Sequence, residues 1–244
     1  MHAEYLNHMG DDLTVVNAAR VSFDAESTKL SNRDKGLIQF LARGCSSLDW
    51  DHWIDALRSC DLSPEDIEKL LKHVKSMPTH WTPFAHCMVS IRETVPIFVA
   101  RQRFKHMVGF TYNEVSRRYV DDEPEFHIPD TWRTRPQGGI KQGSGGTHLE
   151  NNLFRGYYAS ALENAQSLYM TMIEDGVAPE QARMVLPQSM LTSYWVTGSL
   201  YAWANAYIQR SDSHAQQEIQ HLAAQWDEII RPLFPVAWDA LLSN

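Results

Sequence analysis

Residues 86–119 read HCMVSIRETVPIFVARQRFKHMVGFTYNEVSRRY. Apolar side chains alternate at Cys87, Val89 and Ile91, so 86–95 predicts a strand with one buried face. Pro96 suits a first helical position, and PIFVARQRFKHM predicts a helix directly after the strand. FTYNEVSRRY then predicts a turn and an extended segment. A strand that feeds straight into a helix argues for a fold mixing sheet and helices.

Toward the N-terminus, LTVVNAARVSF (13–23) reads either as a strand or as a short helix, and DKGLIQFLARG as a helix stopped by Gly44. Residues 45–79 read as a helical excursion. Within it Ser63 is an N-cap, Pro64 takes the first helical position and Asp66 completes a capping box. Ile67, Leu70, Leu71 and Val74 follow at helical spacing.

Toward the C-terminus, the acidic run Asp121, Asp122, Glu123 and Glu125 predicts a solvated loop. Residues 133–148 hold Gly138, Gly139, Gly143, Gly145 and Gly146, and predict one long mobile loop. They match neither GxxxxGK[ST] nor GxGxxG. A long helix runs from about Leu149 to Asp175, with Leu153, Phe154, Tyr157, Leu162, Leu168 and Tyr169 among its apolar positions, and Gly176 ends it. PEQARMVL predicts a short helix, SMLTSYWV a strand and SLYAWANAYIQ a helix. A last helix carries Ile219, Leu222, Ala223, Trp226, Ile229 and Ile230 on one face, with Ser211, Asp212 or Ser213 as its N-cap. There is no internal repeat and no linker. One α/β (α+β) domain over 1–244 is the simplest reading.

The chain has 244 residues, a formal charge of −8, and 43% hydrophobic against 21% charged residues. This is a globular composition, and the length suffices for a core without staples. No apolar run is long enough for a membrane span. MHAEYLNHMGDD lacks the basic and apolar regions of a secretory signal. Cys45, Cys60 and Cys87 form no zinc pattern and no disulfide framework, which points to a reducing cytoplasm. The acidic balance disfavours a general nucleic-acid binder.

Against that balance, residues 101–118 gather Arg101, Arg103, Lys105, Arg117 and Arg118, with His106, against the single acid Glu114. A guanidinium fork matches a phosphate, and Asn113, Glu114 and Ser116 could read a base or sugar. The alternative is a solvated basic face pairing with the acids at 121–125. Arg183 stands alone in ARMVLP (182–187) and needs an anionic partner if buried. Arg210, at a helix junction, either points into a pocket or caps the preceding helix. His214, Glu218 and His221 have metal-capable spacing, but no second motif accompanies them. No cysteine has a catalytic context, and no GxSxG is present.

Six motifs together resemble the flavin-dependent thymidylate synthases, the ThyX family: ARVSF (19–23), HWTPFAH (80–86), PIFVARQ (96–102), NEVSRRY (113–119), ARMVLP (182–187) and RSDSHAQ (210–216). The resemblance runs from about residue 11 to residue 240, with the helical stretch near 45–79 and the Gly-rich loop near 133–148 as insertions. It implies a mixed β-sheet flanked by helices and a homotetramer whose active sites are shared between subunits. It also implies the reductive methylation of dUMP to dTMP, with methylenetetrahydrofolate as carbon donor and NADPH-reduced FAD as hydride source. No metal, nucleic acid or membrane is implied.

By the same resemblance, Gln102, Lys105, Glu114, Ser116, Arg117, Arg118, Arg183 and Arg210 are expected on dUMP. Arg210 is the catalytic residue, a fixed cation stabilising the anionic form of the uracil ring. Ser22, His80, Thr82, Lys105, His106, Met107, Glu114, Ser199, Tyr201 and Asn205 are expected on FAD. The family's Arg-His-Arg signature falls on Lys105-His106-Met107, so Lys105 keeps the charge without the fork and Met107 has neither, with Arg103 as a replacement cation if it faces the site. Two rival readings follow. One is a relative that binds nucleotide or flavin without methyl transfer. The other is a basic, aromatic-interleaved module for single-stranded nucleic acid.

Overall fold

The computed structural model describes residues 1–43, 50–75, 79–136 and 143–243. The chain opens on β1 (His2–Met9), a strand in which only Ala3 is buried. The stretch at 13–23 resolves as a helix, α1 (Asp12–Arg20), followed by a 3-10 turn over Val21–Phe23. Asp11 starts α1 by accepting from the Thr14 N–H at 2.8 Å, while Thr14 Oγ1 accepts from the Asp11 N–H at 3.1 Å. Next comes α2 (Asn32–Arg43). Gly44, its expected stop, and Cys45 lie outside the described residues.

Within the 45–79 stretch the described residues form two helices, α3 (Trp50–Ser59) and α4 (Pro64–Lys75), joined by the non-helical residues 60–63. The Ser63 hydroxyl accepts from the Asp66 N–H at 3.1 Å and donates to its carboxylate at 2.6 Å. A 3-10 turn over Thr82–His86 leads to β2 (Met88–Pro96), with Cys87, Val89 and Ile91 fully buried. Then α5 (Ile97–Arg103) ends four residues short of the expected Met107. Phe104–Gly109 turns instead, with Gly109 at φ +78°, a backbone that glycine adopts without strain. The extended segment, β3 (Phe110–Glu114), follows that turn, and a second turn at Ser116–Tyr119 comes after it.

The acids at 121–125 are exposed, as expected. The Gly-rich stretch differs from a free loop at both described ends. Arg133 bridges Thr147, and the Thr134 N–H donates to the Gly146 carbonyl at 2.8 Å. Gly138 and Gly139 lie outside the described residues. Helix α6 (Asn151–Glu174) ends at Gly176, φ +81°. Of its apolar positions Leu162 and Tyr169 are buried, while Leu153, Phe154, Tyr157 and Leu168 are 41–65% exposed.

The remaining elements are α7 (Pro179–Ala182), a 3-10 turn over Arg183–Val185, β4 (Leu191–Ser199), α8 (Leu200–Ser211), α9 (Gln217–Ile230) and α10 (Pro235–Leu242). The expected N-cap of the last helix is corrected. Ser211 closes α8, and the Asp212 carboxylate holds the His214 N–H at 2.7 Å in a local turn before α9 begins at Gln217.

The four strands form one sheet in the order β1-β2-β4-β3. The backbone divides into two compact units, each assembled from three stretches. The first comprises Met1–Leu6, Ile91–Thr197 and Gln209–Trp226. The second comprises Asn7–Ser90, Gly198–Ile208 and Asp227–Asn244. The core of the first includes Tyr169, Tyr194, Ile219 and Trp226; that of the second includes Val15, Ile38, Trp203 and Trp238. Within the second unit Asp12 caps α10 from outside that helix: its carboxylate accepts the Val236 and Ala237 N–H groups at 2.9 and 2.8 Å. No helix among the described residues is long and apolar enough to cross a membrane.

Candidate active site

In the first unit, β3, β4 and the turns beside them enclose a cleft of about 520 Å³. Glu114, Ser116, Arg117, Arg183, Thr192 and Ser193 are on its wall. The Val115 N–H donates to the Ser193 carbonyl at 2.9 Å, which carries β3's line into the turn. There the Ser116 carbonyl accepts from the Tyr119 and Val120 N–H groups. Glu114 is oriented by Thr192, whose hydroxyl donates to Oε1 at 2.7 Å. Arg117 is tied to the Asp122 carboxylate at 3.0 Å, so one pair of the surface alternative is realised. Arg183 is exposed, and its Nε donates to the Glu180 carbonyl at 3.2 Å. That bond leaves both Nη groups without a protein partner among the described residues.

A second group lies where α5 ends. Arg210, in the last turn of α8, does not cap its own helix. Its Nη2 donates to the Gln102 carbonyl at 3.1 Å, near the C-terminus of α5, where a cation is favoured. Its Nε donates to His106 Nε2 at 2.8 Å. Gln102 Nε2 donates to Gln216 Oε1 at 2.6 Å. Burial first, then Arg210 and Arg103, push the His106 imidazole down to about 4, so it stays neutral and accepting near pH 7. Burial, then Arg103, also lowers Arg210 from its ordinary value.

Arg103, open in sequence between a replacement cation and a residue facing away, is buried. Its side chain is fully enclosed, with Nε 3.2 Å from Glu93 Oε1. Lys105, Met107 and Arg118 are exposed, and Arg118 leans on its neighbour Tyr119.

Six flavin-side positions fall in the second unit. Ser22, Thr82 and Asn205 are exposed, with no side-chain partner among the described residues. The exposed His80 ring stacks on Phe40 at 5.6 Å. Tyr201 stacks on Trp81 at 5.3 Å. Ser199 is buried, and its Oγ accepts from the Ala202 N–H as the start of α8.

The metal spacing is not realised. His214 precedes α9, and the Glu218 carboxylate is held by Arg133 at 2.6 and 2.8 Å. Among the described residues no three His, Cys, Asp or Glu side chains gather as metal ligands would. Cys87 is buried, and its thiol is pushed up to about 12 by burial and then by Asp11 and Asp12, so it carries no thiolate. Sequence reasoning missed Thr192, Gln216, Glu93 and Tyr112. Their partners are far along the chain or on a different element, and periodicity does not see such pairs.

A family model described as Thy1, thymidylate synthase complementing protein, matches residues 4–236. Flavin-dependent thymidylate synthase from Thermosipho africanus is 33% identical over 96% of this chain and 87% of its own. An enzyme of the same name from Thermus thermophilus is 30% identical over 96% and 73%. Among solved structures, the UMP/dUMP methylase PolB from Streptomyces cacaoi, bound with 5-Br UMP, superposes with a TM-score of 0.75 at 25% identity, covering 99% of this chain and 93% of that one.

Proposed function

Because the chain belongs to the flavin-dependent thymidylate synthase family, which methylates dUMP to dTMP, we propose that the cleft holds the dUMP and that Arg210 activates its ring. The observation that carries this is the cleft itself, which brings the NEVSRRY and ARMVLP motifs together through Glu114, Ser116, Arg117 and Arg183. The two unpaired Nη groups of Arg183 are a fork for the nucleotide's phosphate. Glu114, set by Thr192, accepts from a sugar or base. PolB, solved with 5-Br UMP and 5-Br dUMP, supports a uridine monophosphate as the ligand.

Arg210 has two arms fixed, by His106 and by the Gln102 carbonyl, while its Nη1 has no protein partner among the described residues. A desolvated cation in a set orientation stabilises negative charge as it develops, with little reorganisation. Reaction at C5 of uracil builds such charge on the ring, and Nη1 is the arm that meets it. His106 accepts from Arg210 and so moves no proton in that step.

The donor set fits a flavin. Ser22, Thr82 and Asn205 offer hydroxyl and amide groups unengaged among the described residues, and His80 and Tyr201 offer ring faces. FAD would supply the hydride that completes the methyl group, with NADPH as its reductant and methylenetetrahydrofolate as the carbon source. Ser199 of the second unit is a further proposed flavin contact, and Lys105, His106, Met107 and Glu114 are those proposed in the first unit. Lys105, Arg117 and Arg118, with Gln102 and Ser116, complete those to dUMP.

The exposed Leu153, Phe154, Tyr157 and Leu168 on α6 support assembly into a homotetramer with shared sites, since water-facing apolar faces of this kind mark interfaces. One catalytic domain over 1–244 and a cytoplasmic location complete the reading. The test is an anaerobic reaction of the protein with FAD, NADPH, methylenetetrahydrofolate and dUMP. Formation of dTMP is expected; tight dUMP binding without dTMP would overturn the reading.

A further inference from the structure

The loop that carries Lys105, His106 and Met107 is anchored from below by a buried group that none of the site residues includes. Arg103 is fully enclosed, with its guanidinium 4.3 Å from the Phe110 ring centre, 4.8 Å from Trp226 and 5.2 Å from Tyr112. Its Nε faces Glu93 Oε1 at 3.2 Å, and the other carboxylate oxygen, Oε2, accepts from the Tyr194 hydroxyl at 2.5 Å. Its Nη1 donates to the Tyr112 hydroxyl at 2.6 Å. That hydroxyl in turn donates to the His106 carbonyl at 2.6 Å, with the Arg103 carbonyl 3.3 Å away. A fixed cation therefore reaches, through one phenol, the backbone of the residue whose ring holds Arg210.

We propose that Glu93, Arg103 and Tyr112 are positioning residues for the reaction, setting the His106 ring and through it the guanidinium of Arg210. Each connection is directional. The Glu93 carboxylate fixes the plane of the Arg103 fork. The fork fixes the Tyr112 hydroxyl, and the hydroxyl pins the carbonyl of His106 in a loop that Gly109 turns without strain. With the backbone of His106 pinned, its Nε2 stands where Arg210 Nε finds it. A small displacement of an activating group costs a large factor in rate, so a buried anchor at this point acts on the chemistry without touching substrate. Burial strengthens the two bonds to Glu93 at the base of the chain, because no water competes for them.

The inference rests on the reading that Arg210 activates the nucleotide, and the test separates the two. Tyr112→Phe removes one oxygen, keeps the ring against Phe104 and Tyr194, and leaves the Arg103–Glu93 pair intact. In the holoenzyme, kcat for dTMP is expected to fall at least about ten-fold, with the KM for dUMP changed less than about two-fold. In the same variant the ring nitrogen resonances of His106, read by NMR without substrate, are expected to shift as the bond from Arg210 weakens. Arg103→Lys, which keeps the charge and loses the fork, is expected to show the same two changes. If either variant fails to fold, the other carries the test. An unchanged kcat overturns the inference. So does a fall in kcat with unmoved His106 resonances, because that is the result of a purely structural role. A wild-type protein that makes no dTMP overturns the functional reading instead, while the NMR arm still decides the anchor.

Discussion

Arg210 and His106, 104 positions apart in the chain, meet at 2.8 Å with the arginine as donor. The geometry requires a neutral histidine, and burial together with the two arginines supplies one by holding the imidazole at about 4. In the unfolded chain the same ring titrates near its ordinary value of about 6.5. The folded value is the lower one. The neutral ring's contribution to stability is therefore complete above about pH 6.5 and is lost as pH falls through about 4. Urea midpoints measured across this window should drop more steeply for the wild type than for His106→Gln. Equal slopes would mean that His106 does not carry the effect.

Arg210→Lys keeps a charge but cannot hold His106 and the Gln102 carbonyl while pointing a third arm outward. Turnover to dTMP should fall roughly 100-fold, the scale seen when one transition-state donor is lost. Bound flavin, read by visible absorbance, should stay at the wild-type level. A variant that loses flavin and activity together would place Arg210 on the cofactor instead.

Asp12→Ala takes the cap from α10 and leaves two N–H groups without their acceptor at a site only 5% exposed. A loss of about 2 kcal/mol is expected from urea denaturation. Turnover of the folded fraction should be unchanged.

Cys87→Ala should leave dTMP formation intact, because the buried thiol is held protonated far above neutral pH. Wild-type Cys87 should likewise resist alkylation at pH 8 until the protein is unfolded. Mass spectrometry of alkylated peptides reads both states. Rapid native labelling of Cys87 would contradict its burial.

Met107→Arg supplies a cation at the position where the resemblance expects one. Met107 is 74% exposed, so a guanidinium fits without desolvation. Tighter FAD binding, by about ten-fold in a fluorescence titration, is expected. Unchanged affinity would show that another group already serves the flavin at this place.

What the sequence reveals here follows from which interactions are periodic. β2 is legible because Val89 and Ile91, and Cys87 just before the strand, are fully buried at alternate positions. β1 is not, because only Ala3 is buried and the strand lies at a sheet edge. The apolar stripe of α6 is legible as a helix, but most of it faces water, and periodicity cannot say what covers a face. The cleft residues are legible through their motifs. Their orienting partners are not: Thr192 meets Glu114 across 78 positions and Gln216 meets Gln102 across 114. Arg103 reads as one more surface cation in a basic run. Its burial depends on Glu93, one element upstream, and on the rings around it.

The interleaving of the two compact units has a consequence for how the chain reaches its native state. The first unit needs Met1–Leu6 as well as Gln209–Trp226, and the second needs Asn7–Ser90 as well as Asp227–Asn244. No single cut yields a fragment that holds one unit whole and is free of the other. Ribosomal synthesis cannot complete the first unit before Trp226 of α9 has emerged, nor the second before α10 has. Contacts of such wide sequence separation are closed late and slowly, and the nascent chain carries its apolar segments unpaired until then.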